Sequence, residues 1–242
     1  MLTKNIKNFE KDGIIKIKFN KNAILNIKNL KSKIKKKFNK EFKKNSFEKF
    51  HISVSPNKIN KIRLEIINYL NTQKKLTRQI YQGLCPFMDK ILGEDIVSQR
   101  FINLGLQMPN DDNKPEFHKD TPLSSMYEVV VWVPLVNCYK SMCMSLIPKK
   151  FQDEAEHLLE VNNPESIYKF VKKKGKLINV PFGEAVIFNA NIFHYPHVNK
   201  TNDTRWSLNI RYKNLFTPYG HRNLLDYYSI LKNSSVVQMN IN

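Results

Sequence analysis

Pro115-Glu-Phe-His118-Lys119-Asp120 and, further on, Gly183-Glu-Ala-Val-Ile-Phe-Asn-Ala-Asn-Ile-Phe-His194 decide the reading of this chain, with Asn199-Lys-Thr-Asn-Asp-Thr-Arg205 close behind. Two imidazoles and one carboxylate can occupy one face of an iron(II) ion and leave the opposite face open. A His-x-Asp pair on a strand supplies two of these ligands at once. Residues i and i+2 of a strand point to the same side, so His118 and Asp120 converge while Lys119 turns away. The third ligand must then come from a distant strand. Both His194 and His197, in His-Tyr-Pro-His, are candidates for it.

The rest of the chain bounds this reading. Its 242 residues suit one domain with a substantial core. The longest apolar run, Val129–Val136, is far shorter than the ~20 residues of a membrane span and reads as a buried strand. Lysines recur from Lys4 onward in place of a signal peptide's apolar stretch. Three cysteines, Cys85, Cys138 and Cys143, make no disulfide framework and have no zinc-knuckle spacing, so a cytoplasmic protein is expected. The net charge of +19 is concentrated at the start, where residues 1–50 hold sixteen lysines against four acids. Nucleic-acid interfaces add bidentate arginines or interleaved aromatics, and Lys31–Lys44 has only Phe38 and Phe42. A solvated lysine-rich surface is the simpler account; an anionic partner stays as the alternative, and nucleic acid is not the expected one. No phosphate-binding glycine loop, Ser-His-Asp set or CxxC pair is present.

Phe9–Gly13 reads as a turn, followed by the alternating strand of Ile15, Ile17 and Phe19. Ala23–Phe38 carries apolar residues at helical spacing, Lys31–Ser46 reads as a helix tail and loop, and Lys58–Leu92 holds two more helical patterns that Pro86 interrupts. Beyond Gly93 the texture turns to short strands: Arg100–Met108, Glu116–Asp120, Glu128–Val136, Met142–Ile147, Lys176–Val180, Ala185–Phe188 and Ser207–Tyr212. Lys149–Lys174 interrupts them with a partly helical insertion, and the polar tail begins near Lys232. Such spacing predicts a mainly β sandwich or barrel buttressed by N-terminal helices. The expected organisation is a single domain over 1–242, with the helical buttress at about 20–92 and the β core at about 100–213.

Four segments in this order resemble the iron(II)/2-oxoglutarate-dependent dioxygenases, in particular the phytanoyl-CoA hydroxylase-like branch. They are Phe9-x-x-x-Gly13 before a strand, His118-x-Asp120, Val130-Val-Trp132-Val-Pro-Leu135 leading to Leu146-Ile-Pro148, and the block from Gly183-Glu184 through His194, Asn199 and Thr201 to Arg205. The resemblance implies a double-stranded β-helix, a cupin-like jelly-roll, using Fe(2+), 2-oxoglutarate and O2. It implies that His118, Asp120 and His194 hold the metal, since His194 stands eleven residues before Arg205, the family's interval. Arg205 is the expected grip on the far carboxylate of 2-oxoglutarate, by two parallel charge-assisted hydrogen bonds. Arg211 competes, lying at an even offset on the same strand. Gln107 and Trp132 are further cosubstrate candidates, Trp132 with core packing as its alternative; Lys119, Tyr127, His197 and Asn103 are substrate candidates. Halogenases of this kind lack the carboxylate that Asp120 supplies, so oxygen insertion is expected.

The sequence departs from the family at Pro196, where a hydroxyl is frequent, at Lys119 between the ligands, and at Pro148-Lys-Lys-Phe151. The expected substrate is a small-molecule biosynthetic intermediate, with carbohydrates and sugar-linked metabolites favoured. A non-catalytic jelly-roll that binds a metabolite, and an oxygenase acting on a macromolecule, are the alternatives. Oligomeric state is not readable from the sequence.

Overall fold

The computed structural model describes residues 1–240. In chain order its elements are α1 (Leu2–Asp12), β1 (Ile14–Lys18), α2 (Lys21–Lys37), α3 (Asn39–Phe42), α4 (Pro56–Asn71), α5 (Leu76–Gly83) and α6 (Phe87–Leu92). There follow β2 (Ile96–Gln99), β3 (Asn103–Gln107), β4 (Glu128–Pro134), β5 (Met144–Leu146), α7 (Gln152–Val161) and α8 (Pro164–Lys174). The chain ends with β6 (Lys176–Leu177), β7 (Glu184–Asn189), β8 (His194–Pro196), β9 (Arg205–Asn214), β10 (Tyr228–Lys232) and α9 (Ser235–Met239).

The strands make two antiparallel sheets. The larger runs β1-β7-β4-β9-β2-β10, with β3 also paired to β9; the smaller is β6-β5-β8. Strand β9 is the spine. One edge pairs with β4 from Glu128↔Lys213 to Pro134↔Ser207 without a bulge, and the other serves β2 and β3 in succession. Its residues therefore alternate strictly between two environments. Trp206, Leu208, Ile210 and Tyr212 are buried against the helical layer. Trp206 packs among Phe42, Phe47 and Phe50 and donates its indole N–H to the Phe47 carbonyl at 2.9 Å. Tyr212 meets Tyr81 of α5 and bonds the Thr77 carbonyl. The opposite face of β9 looks into a cavity between the two sheets.

The helices form for local reasons. Asn20 caps α2 by accepting the Ala23 N–H at 2.9 Å. Ala23, Ile27, Leu30 and Ile34 give that helix one buried stripe, and Lys35–Lys37 sit where the helix dipole favours cations. Pro86 separates α5 from α6, as its missing N–H and ring require. Helices α7 and α8 cover a second apolar cluster containing Phe117, Phe170 and Phe193. No helix among the described residues is long and apolar enough to cross a membrane. The three cysteines are free, with Cys138 and Cys143 buried.

Several expectations need correction. Phe9–Asp12 is not a turn but the last turn of α1; Gly13 then caps that helix at φ 69°, where an added Cβ would lie 2.7 Å from Ile192. The Lys31–Ser46 loop contains α3, and the polar tail contains α9. The first expected core strand is β3 and begins at Asn103 rather than Arg100; β2 precedes it outside the expected run, and the chain kinks at Arg100–Ile102 to change its position along β9. Lys176–Val180 keeps a strand ladder at its first two residues and a single bridge from Val180 to Cys138 at its end. Glu116–Asp120 is not a strand: His118 makes one bridge to His194, after which Asp120 sends its N–H to Ala190.

Candidate metal centre

His118 and Asp120 reach the cavity from this irregular segment, and His194 reaches it from the start of β8. One donor atom from each lies within 4.8 Å of the others. The His118 and His194 backbones exchange hydrogen bonds of 3.2 and 2.8 Å, which fixes the two rings 4.2 Å apart. Each ring is also oriented from behind. His118 Nδ1 faces the Glu116 carbonyl at 2.7 Å, and His194 Nδ1 faces that of Ile192 at 3.1 Å. A carbonyl only accepts, so Nδ1 must donate and the lone pair of the neutral ring resides on Nε2. Burial and the neighbouring His118 push the His194 pKa down to about 4, against the pull of Asp120, which keeps the ring neutral at physiological pH.

Asp120 is held by Arg211, whose Nη2 lies 2.7 Å from Oδ2, with both side chains largely buried. Burial alone would raise the carboxyl; Arg211 and the two histidines outweigh it and hold Asp120 below the usual carboxylate range. Arg211 is itself braced by Gln99 Oε1 and the Tyr227 hydroxyl. One carboxylate oxygen is thus committed to the arginine. The other, with two imidazole nitrogens, makes a hard-and-borderline N2O donor set that fits a divalent iron ion.

Arg205 and Arg211 share the inner face of β9, as the unbroken register requires, yet their surroundings differ. No carboxylate pairs with Arg205 among the described residues. Among the described residues its only hydrogen bond is a long one to the Met142 carbonyl, at 3.4 Å, and its Nε is buried without a partner there. Burial lowers its pKa by more than the nearby Cys138, Cys143 and Asp111 raise it. A dicarboxylate with one end at Arg205 would supply a paired anion.

The cavity has a volume of about 420 Å³ and also takes in Gln107, Trp132 and Asn103. Gln107 Nε2 is committed to the carbonyls of Asp111 and His197, which ties the 109–113 turn to the wall and leaves only its acceptor, Oε1, unpaired. Trp132 is buried on β4, directly beside Asn209 of β9, which in turn pairs with Asn103 of β3. Val130, Phe188 and Met144 complete an apolar floor.

Three of the expected site residues fall elsewhere. Lys119 points outward, as alternation from His118 demands, and pairs with Glu156 of α7. Tyr127 is exposed before β4, outside the cavity lining. His197 lies three residues beyond His194, an odd offset that turns it to the other side, where Nε2 meets Ser145 Oγ at 2.8 Å. Sequence reasoning missed the bond from Arg211 to Asp120, and it missed Asn60 and Arg63, which α4 contributes to the cavity wall.

A scan against protein-family models gives no match for this sequence, and a search of curated proteins gives none either. Solved structures do match. A non-heme monooxygenase, ThoJ, in its nickel complex, superposes with a TM-score of 0.60 at 12% identity over 97% of this chain and 84% of that one. The non-heme alpha-ketoglutarate-dependent carbocyclase SnoK of nogalamycin biosynthesis gives 0.52 at 11% identity over 90% and 86%. AviO1 from Streptomyces viridochromogenes Tue57 gives 0.51 at 15% identity over 91% and 98%. At such identities the likeness concerns the fold, and the chain shares the fold of non-heme, alpha-ketoglutarate-dependent enzymes of biosynthetic pathways.

Proposed function

We propose that the chain is an iron(II)- and 2-oxoglutarate-dependent oxygenase with a double-stranded β-helix core over a single domain, allied to the phytanoyl-CoA hydroxylase-like branch. The observation that carries this is one cavity holding both an N2O cluster and an arginine with no anion. His118, Asp120 and His194 would hold the metal, and Arg205 would hold the far carboxylate of the cosubstrate. Iron(II) with 2-oxoglutarate supplies the dioxygen chemistry that the twenty side chains lack, and the protein's part is to bind, orient and exclude.

Each part has a residue behind it. The Glu116 and Ile192 carbonyls keep a lone pair on each ring's Nε2. Arg211 occupies one oxygen of Asp120, which would leave the other to hold a metal. Phe188, Val130 and Trp132 keep bulk water from the floor of the cavity. Gln107 holds the wall rather than the cosubstrate, since its N–H groups are taken by backbone carbonyls. Because Asp120 is present, hydroxylation is the outcome the site supports. The substrate is a small-molecule biosynthetic intermediate; the amide-rich wall of Asn103 and Asn209 beside Trp132 suits a hydroxyl-bearing, sugar-linked one.

Succinate formation tests the reading. Protein loaded with iron(II) and supplied with 2-oxoglutarate and air should release succinate slowly, and faster with a sugar-linked substrate. Asp120→Ala should abolish it. A folded, iron-loaded protein that forms no succinate under any condition would remove the cosubstrate from the account.

A further inference from the structure

Three arginines face the cavity, and two of them have a counter-charge within the proposed function: Asp120 for Arg211, and the cosubstrate carboxylate for Arg205. Arg63 has none. It projects from α4 and is braced by neutral acceptors only, Nε and Nη2 on Asn60 Oδ1 at 3.2 and 3.0 Å, and Nη1 on the Leu104 carbonyl at 3.3 Å. No carboxylate pairs with it among the described residues. Those three bonds fix the plane of the guanidinium while leaving two of its five N–H groups and its whole charge uncommitted. A divalent metal and a dianionic cosubstrate cancel each other, so loading the site leaves the arginine excess in place. Asp111, the second carboxylate of the lining, accepts the Asn113 N–H and acts on Arg205, and with Asp120 it still leaves two carboxylates against three arginines.

Resting on the oxygenase reading, we infer that the substrate carries an oxyanion, a carboxylate, phosphate or sulfate, and that Arg63 binds it at the α4 side of the cavity. A planar guanidinium with its rotation already fixed loses little entropy when it takes up a two-point hydrogen bond to an oxyanion, and it discriminates against neutral analogues. Asn60 is a positioning residue here: its amide oxygen accepts from both nitrogens on one edge of the fork and so aims the rest. Asn103, on the neighbouring strand and facing the same cavity, offers an amide to the rest of the same substrate. The substrate would then be oriented at two points, its charged end at Arg63 and its reacting carbon toward the metal triad.

The test uses the protein loaded with zinc(II) and saturating 2-oxoglutarate, uniformly labelled with nitrogen-15 so that backbone amides and the Nε–H groups of its six arginines are both observed. The Arg63 and Arg205 Nε–H resonances are assigned by their loss in Arg63→Lys and Arg205→Lys. Acetate, sulfate and phenyl phosphate are then titrated at constant ionic strength. The expected result is a saturable shift of the Arg63 resonance with at least one probe, the tightest naming the oxyanion. Arg63→Gln should weaken that probe by about tenfold or more, as followed at the Asn103 and Leu104 amides, which is the loss of one charge-assisted contact. Asn60→Ala, which keeps the charge but frees the fork, should weaken it less. An Arg63 resonance unmoved by all three probes, or equal affinity in Arg63→Gln, overturns the inference. The Arg205 resonance reports separately on the cosubstrate: if 2-oxoglutarate does not move it, the oxygenase reading fails, whatever Arg63 does.

Discussion

Replacing Arg211 with methionine isolates what the arginine does for Asp120. The pair is direct, 2.7 Å from Nη2 to Oδ2, and both side chains are about seven-eighths shielded, at 13% and 14% exposure. With charge centres about 4 Å apart and an effective dielectric near 20, the attraction is about 4 kcal/mol. Removing one partner of such a pair costs about 3–5 kcal/mol, because a buried carboxylate is left uncompensated. At a urea dependence of about 3 kcal/mol per molar, the metal-free variant should unfold at about 1–1.7 M less urea than the metal-free wild type at pH 7. The sign of the pH dependence also inverts. In the wild type Asp120 is held below its ordinary range, so its contribution is present at neutral pH and is lost as pH falls through the folded-state value. In Arg211→Met the carboxyl rises above the ordinary range, so the deficit shrinks as pH falls and Asp120 takes up a proton. Zinc(II) should also recover much of the loss, since the metal replaces the missing positive charge. A deficit under about 1 kcal/mol that neither acid nor zinc alters would refute the argument that Arg211 neutralises a metal-binding carboxylate.

Other substitutions probe separate parts of the account. Arg205→Gln should raise the 2-oxoglutarate concentration needed for half-saturation by about ten- to a hundredfold, the worth of a hydrogen bond to a charged group, and leave metal affinity unchanged; calorimetry of metal-free protein with zinc(II), and then of the zinc-loaded protein with 2-oxoglutarate, reads both. Trp206→Ala empties a site among Phe42, Phe47 and Phe50 on the helical side of β9 and should cost about 3–5 kcal/mol in urea unfolding without changing metal stoichiometry. Burial pushes the Lys213 pKa down to about 8, against the pull of Glu128. The unfolded chain then binds the proton more tightly, so Lys213 contributes stability that grows from about pH 8 to pH 10, while the thiols of Cys85, Cys138 and Cys143, pushed up by burial, act in the opposite direction. Urea unfolding across that window should show stability falling less steeply with pH in wild type than in Lys213→Met.

The gathering of the site was legible where it depends on alternation and short spacing. His118 and Asp120 needed only an extended backbone, and they converge although a single bridge replaces the expected strand. The same parity puts Lys119 outside and turns His197 away from His194, so both could have been set aside from sequence alone. Arg205 and Arg211 were readable as sharing a face, but not which would be neutralised. That depends on where the segment around Asp120 crosses the end of β9, a long-range packing fact. Arg63 was unreadable for a similar reason: on α4 it is one polar residue beside an apolar stripe, and only docking of the helix against β3 turns it toward the cavity. Strands β8 and β10 escaped because the first is three residues in a His-Tyr-Pro run and the second is an edge with only Tyr228 and Leu231 buried. Helix α1 escaped because its apolar residues, Leu2, Ile6 and Phe9, are only partly buried.

The most direct test of the central claim is an anaerobic titration of the metal-free protein, first with iron(II) and then with 2-oxoglutarate, followed by visible absorption. The account predicts one iron per chain and a weak charge-transfer band that appears only when 2-oxoglutarate is added. The band should be absent in His118→Ala and should need far more 2-oxoglutarate in Arg205→Gln. Folded protein that binds iron but develops no band at any 2-oxoglutarate concentration would contradict the cosubstrate assignment. Failure to bind iron at all would contradict the metal centre itself.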